Sequence, residues 1–382
     1  MHCIKVASIR QWVVAGLKPS FSVVFAVNKG YFVSNMVVVL VLSKMAIVKQ
    51  PQFVKRLISV LVTIYIEKRV KLCYNKQNET TSGGSMGEIS VSSDFQQFCK
   101  NLRMSDKVVS NIQSRYHAIT KRINHDFWGS DSETLHSLYV GSYGRGTAIH
   151  TSDIDIVVEL PWTEYSKYNS YSRNGQSALL QAVRNSLLKT YSTSRIGADG
   201  QVVDIMFSDG VKFEVVPAFK YSDDSGYCYA DTNNSGSWNS MNPKLEILTF
   251  NGRNSITNGN LKRLCQMMRA WNATKCVLMP GILIDTLAYR FMQQYEYADK
   301  SYSYYDWMSR DFFQYLVEVS NQDYWLKPGS NQRVYAKYGF KREAEEAHAK
   351  CLDALEYYNK NYNYLWNDKW REIYGNKFPA TS

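Results

Sequence analysis

Asp153 and Asp155 stand two residues apart at the start of an apolar run, Ile154–Val158. Successive side chains of a strand alternate faces, so these two carboxylates share one side. In a partly dry setting they repel, and one takes up a proton unless a cation lies between them. Oxygen ligands favour Mg²⁺ or Mn²⁺ over zinc. Just upstream another apolar strand, Leu138–Val140, runs into Gly141-Ser142 and a short Gly-rich turn. Gly141 lets the backbone come close to a phosphate, and the Ser142 hydroxyl and nearby N–H groups can donate to its oxygens. Either part alone is common on solvated strand ends; joined at this spacing between two apolar strands, they form a phosphate cradle and a metal seat in one hairpin-sized unit.

The Gly-Ser turn followed by Asp-x-Asp resembles the signature of the DNA polymerase β-like nucleotidyltransferase superfamily. That resemblance implies a third carboxylate on a later strand. Residues 211–219, VKFEVVPAF, are similar to this strand in the oligoadenylate synthase and cyclic GMP–AMP synthase branch, with Glu214 where the pattern carries Asp. Glu brings the same charge on a side chain one methylene longer. Gln201–Phe207 and Lys212–Val216 read as a hairpin turned at Asp209-Gly210, so Asp204 is the other candidate for the third acid.

The elements that must position these groups follow from periodicity. From Ser92 to about His125 the apolar residues recur at helical spacing, as two helices or one long kinked helix, with Ser105-Asp106 able to cap the second part. In the family such a helix is a spine behind the site. Ser177–Tyr191 is amphipathic through Leu179, Leu180, Val183, Leu187 and Leu188, and Ser194–Ile196 reads as a short strand. Tyr221–Asn260 is polar and rich in turn residues, and is expected to be a long loop rimming the nucleotides, with Trp238 and several Tyr available to stack on bases. Gly259–Trp271, Ile282–Gln294, Trp307–Ser320, Lys341–Tyr358 and Trp366–Tyr374 read as helices, and Lys377–Ser382 as a frayed tail. Lys262 and Arg269 share a face of the first of these. It resembles the family helix whose basic residue two before a Trp contacts phosphate, with Arg269 where the pattern prefers Lys.

Net charge is +11, but residues 1–85 hold 12 Lys/Arg against 2 Asp/Glu, and residues 86–382 hold 33 against 32. The body is nearly neutral, which argues against a long basic groove for DNA or RNA. Seven Cys are scattered without a C-x-x-C, and six His are equally dispersed, as in a reducing, cytoplasmic setting without structural zinc. Residues 1–85 are Val-rich and basic; neither apolar run, Tyr31–Ser43 nor Leu57–Ile66, reaches the ~20 residues of a spanning helix. Three readings fit them: upstream translation before a start at Met86 or Met104, a membrane-associated segment, or an added domain. Asn75–Ser85 has the composition of a joint.

The resemblance spans residues 92–375 and implies an α/β (α+β) chain, a two-lobed polymerase β-like nucleotidyltransferase. A mixed-sheet catalytic lobe with its spine helix takes residues 86–255, a helical substrate-binding lobe 256–376, and a flexible tail 377–382. It further implies Asp153, Asp155 and Glu214 around two Mg²⁺ (or Mn²⁺) ions, Gly141 and Ser142 on the β- and γ-phosphates, and Lys262 or Arg269 offsetting transition-state charge. The implied reaction joins nucleoside triphosphates, ATP foremost, into a cyclic di- or trinucleotide second messenger for antiphage defence, with release of pyrophosphate. An effector that binds the messenger is the implied partner, and in some bacterial members conjugation enzymes join the C-terminus to a target. Rival readings are a linear oligoadenylate-like synthase, a toxin-type enzyme acting on RNA or protein, and a nucleotide-binding module with a dead site.

Overall fold

The computed structural model describes residues 89–380, which fall within the compact unit Met86–Ser382. The readings of residues 1–85 lie outside the described residues. Helix α1 (Val91–Asn101) starts where the Ser90 hydroxyl accepts from Ser93 N, and buries Val91, Phe95, Phe98 and Cys99 along one stripe. Helix α2 (Asp106–Trp128) is capped by the Ser105 hydroxyl and stops at Gly129, whose φ of 63° suits glycine. The break between them has a cause in packing. Phe95 and Phe98 enter the core of the helical half, whereas Ile112, Ile119 and Ile123 of α2 pack on the sheet.

Seven strands form that sheet: β1 (Ser137–Tyr139), β2 (Ile154–Glu159), β3 (Arg195–Asp199), β4 (Val202–Met206), β5 (Lys212–Lys220), β6 (Tyr227–Asp231) and β7 (Ser237–Met241). Their order is β1-β2-β5-β4-β3, with β6 beside the later part of β5 and β7 outside it. Only β2 and β5 pair in parallel, so the sheet is mixed. A parallel pair needs a crossover. Helices α4 (Trp162–Asn169) and α5 (Gly175–Leu188) and the β3–β4 hairpin supply it. Ile154, Ile156 and Val158 of β2 and Phe213, Val215 and Phe219 of β5 point to one face, where Leu179, Leu180, Val183 and Leu187 of α5 cover them. Each such side chain, fully buried, stabilises by roughly 1.5–3 kcal/mol. Asp155, Glu214 and Asp204 alternate to the opposite face.

The long loop expected over Tyr221–Asn260 is instead β6, β7 and helix α6 (Pro243–Ile256). Short strands between turn-rich segments leave little alternation to detect, and α6 buries only Pro243, Glu246 and Phe250 behind an Asn242 cap. Trp238 is a correction too. Its ring packs 4.8 Å from that of Tyr165, and its Nε1 donates to Asn169 Oδ1 at 3.0 Å, so it belongs to the core edge and not to a nucleotide rim.

Helices α7 (Asn260–Lys275), α8 (Gly281–Gln294), α9 (Tyr305–Val319), α10 (Lys341–Asn359) and α11 (Asn363–Tyr374) build the second core, which α1 joins. The chain end is not frayed through Pro379. Phe378 is fully buried, its ring 5.2 Å from Phe95 and 5.3 Å from Phe98, and Arg371 donates to its carbonyl at 2.8 Å. A single Phe in a short polar tail carries no periodic signal. Among the described residues no helix is long and apolar enough to cross a membrane.

Asp306, in the first turn of α9, is buried, and burial pushes its carboxyl up to about 7. A raised carboxyl means the native state holds a proton that the unfolded chain gives up near pH 4. Stability attributable to this group therefore falls as pH rises from about 4 to about 7 and stays low above that. Asp306→Asn should raise the melting temperature at pH 8 and leave it nearly unchanged at pH 4. An equal shift at both values, read by thermal melts, would contradict this.

Candidate active site

Strands β1 and β2 pair antiparallel, Tyr139 opposite Ile156, and the segment between them folds as a short helix, α3 (Gly141–Arg145), where a simple turn was expected. Val140 N donates to Asp155 O at 2.9 Å and Gly144 N to Val140 O at 2.8 Å, while Thr147 N and Ala148 N close the loop onto Ser142 O. Gly141 has φ 59°, and a Cβ placed on it would lie 1.7 Å from Asp155 Oδ2. Only glycine lets the signature turn sit against that carboxylate. The Gly-Ser step and the second Asp are thus one packed unit.

Asp155 lies opposite Glu214 across the parallel β2–β5 pair, and Glu214 opposite Asp204 across β5–β4, so three carboxylates form a row over three strands. Glu214 is the nearer third acid, in hydrogen-bond contact with Asp155; Asp204 is one strand further out, packed over Gly197. Burial, reinforced by the Glu214 charge and hydrogen bond, pushes the Asp155 carboxyl up to about 7. Asp153, at the mouth of β2 with a half-exposed side chain, is also raised, by burial against the pull of Lys212.

Lys212 is the residue that inspection of the sequence left out. Its ammonium is ion-paired with Glu214 and stands 3.6 Å from Asp153 Oδ2, and the Glu214 hydrogen bond holds its pKa up. It lies two before Glu214, on the same face by strand alternation. With that ammonium between two of the acids, no three His, Cys, Asp or Glu side chains among the described residues converge to hold an ion as they stand. The donor chemistry nevertheless suits a hard divalent cation: carboxylate oxygens only, with the pull of Arg145 too small to offset the burial of Asp155 and the Glu214 charge.

Of the two helix cations, the structure brings one to the signature turn. Lys262 of α7 places its Nζ 2.9 Å from where a Cβ on Gly146 would lie; burial lowers its pKa. Arg269 turns away from the phosphate role expected for it. It is buried, donating from Nη1 to Asp285 Oδ1 at 2.5 Å, from Nη2 to Asp285 Oδ2 at 3.0 Å and to Gly281 O at 3.1 Å. Asp285 of α8 also accepts from Arg145 Nε and from Thr147 Oγ1, both at 2.9 Å. Its burial alone would raise the carboxyl, but Arg269 and Arg145 outweigh that and hold it at about 2. Arg145 ends α3, so this knot ties the signature turn to the helical half.

Residues 89–254 match the family model of the Second Messenger Oligonucleotide or Dinucleotide Synthetase domain. Over those residues the chain is similar to a synthetase domain of this family, and it is a nucleotidyltransferase. No curated protein matches it. Among solved structures, CdnC of Escherichia coli MS115-1, in a complex with HORMA-deltaN, superposes with a TM-score of 0.56 at 14% identity, covering 76% of this chain and 98% of that one. The CD-NTase CdnG of Bradyrhizobium diazoefficiens, in complex with GTP, gives 0.56 at 10% identity, covering 75% and 95%. The cyclic AMP-GMP synthase DncV of Vibrio cholerae gives 0.52 at 14%, covering 76% and 87%. These identities establish a shared fold, the two-lobed polymerase β-like one.

The middle of the sheet and the helix beside it therefore offer three kinds of group around one turn. Acids on β2 and β5 can hold a cation, a glycine-bearing turn can take phosphate, and Lys262 brings positive charge to the far side of that turn. Such a set suits transfer of a nucleotidyl group, in which positioning and charge neutralisation do most of the work.

Proposed function

We propose that the chain joins nucleoside triphosphates into a cyclic di- or trinucleotide second messenger, expelling pyrophosphate at each step. The observation that carries this is the packing of Asp155 against Gly141 and beside Glu214, which brings the Gly-Ser turn and the acids together. Gly141 and Ser142 hold the triphosphate tail, and Lys262 offsets its charge. A divalent cation, Mg²⁺ or Mn²⁺, would be held by Asp153, Asp155 and Glu214, and when bound supplies Lewis-acid stabilisation of phosphoryl charge. Glu214 would help take the proton of an attacking ribose hydroxyl. The sheet and its carboxylates, within residues 86–255, act as the catalytic lobe; residues 256–376, with α1 packed among their helices, hold the substrates. The GTP of the Bradyrhizobium relative and the cyclic AMP-GMP activity named for the Vibrio one support triphosphate substrates and a cyclic product. An effector that binds the product in an antiphage response completes the reading.

Incubation of the chain with mixed triphosphates and Mg²⁺ or Mn²⁺, followed by phosphatase and mass spectrometry, tests it. Phosphatase-resistant species with the mass of a cyclic di- or trinucleotide are expected. Only linear chains would move the assignment to an oligoadenylate-like synthase, and pyrophosphate release only with added RNA or protein to a toxin-type enzyme.

A further inference from the structure

The geometry points to Lys212 as a built-in replacement for one of two catalytic cations, so that the site loads a single divalent ion beside a fixed ammonium. This rests on the metal-dependent transfer proposed above. The placement is a matter of backbone register before side-chain conformation. Ile154 pairs with Phe213 and Asp155 with Glu214, so Lys212 enters the parallel ladder at the level of Asp153, one row from Glu214. On its other side the partner is Met206, which offers no charge. The Lys212 side chain is 26% exposed, and the carboxylates acting on it are Glu214, Asp153 and Asp204.

Chain length explains how the pair closes. Two residues on one face of a strand are separated by about 7 Å along it. The extra methylene of Glu214 and the four-carbon stem of Lys212 span that gap, and their charged ends meet. The longer acid and the lysine two before it thus form one device, in which the third carboxylate is answered by a side chain. Charge counting leads to the same point. Asp153, Asp155 and Glu214 carry three negative charges, and Lys212 returns one. A single divalent cation neutralises the remainder. Without Lys212, one ion leaves an excess of negative charge on the three acids, and a second becomes favourable.

The experiment is an ion count. The full chain, saturated with α,β-methylene analogues of ATP and GTP, is titrated with Mn²⁺, and bound ion is read by electron paramagnetic resonance. The expected result is one Mn²⁺ per chain for the wild type and for Lys212→Arg, rising to two for Lys212→Met. Two ions in the wild type would overturn the inference whatever the variants do. One ion in a folded Lys212→Met would overturn it as well. In either case activity with natural triphosphates leaves the proposed reaction standing. If no variant binds Mn²⁺ and no pyrophosphate is released, the metal-dependent reading itself fails and this inference with it.

Discussion

Asp155→Asn should lower the rate of pyrophosphate release by roughly a thousandfold or more, about 4 kcal/mol of transition-state stabilisation, with Asp153→Asn close behind. Asn has nearly the shape of Asp, so the packing against Gly141 survives and only the charge is lost. In the proposed reading, what remains is a site with Asp153 as its one carboxylate on the β2 side, which should hold cation and triphosphate poorly. The metal-free fold should respond in the opposite direction. Burial and Glu214 push the Asp155 carboxyl up to about 7, so ionising it costs the native state increasingly as pH rises from about 4 to about 7. At pH 8 the Asn variant is spared that cost. It should melt at the same temperature as the wild type or higher while being nearly inactive. Activity within tenfold of wild type would remove Asp155 from the chemistry. A lower melting temperature with lost activity would reduce the effect to misfolding.

How much of this could be read in advance depends on how local the signal was. The strands at Leu138–Val140 and Ile154–Val158, the capped helix after Ser105 and the helices of the second half all announce themselves by period within a dozen residues. The acid pair and its turn also lie in one short segment, and Glu214 was found because VVPAF follows it. Lys212 was not, although it is only two residues away. A lysine in a strand ordinarily faces water, and nothing one-dimensional says that its neighbours across the ladder are acids. The least legible part is the knot at Asp285. Arg145 and Asp285 are 140 residues apart, the first in a glycine-rich turn and the second in an unremarkable helical pattern. The expectation for Arg269 went wrong for the same reason. Its place on the helix suggested a ligand for phosphate, whereas an acid from the next helix claims both of its terminal nitrogens.

That knot underlies the second large effect. Asp285→Ala removes a fully buried carboxylate and leaves two guanidinium groups facing each other, Arg269 without its counter-charge and Arg145 with only Glu246 at 3.7 Å. Breaking a buried pair in this way costs roughly 3–5 kcal/mol, which for a unit of this size is a fall of about 5–8 °C in melting temperature. The pH dependence follows from the sign of the shift. A carboxyl held at about 2 contributes stability that is present above about pH 4 and is lost as pH falls towards 2, so wild type and Asp285→Ala should converge in strong acid. Melting within a degree or two of wild type at pH 7 would show the knot to be ornamental. A second comparison separates stability from positioning. Replacing Arg145 and Arg269 by Met and Asp285 by Leu together should restore much of the lost melting temperature, because apolar packing substitutes well for a buried ion cluster. It should not restore turnover. Arg145 closes α3 directly after Gly141 and Ser142, and Thr147 binds both the Ser142 carbonyl and Asp285. Without these directional bonds the turn proposed to hold the triphosphate is held by shape alone, and a shift of about 1 Å at a reacting phosphate costs on the order of a hundredfold in rate.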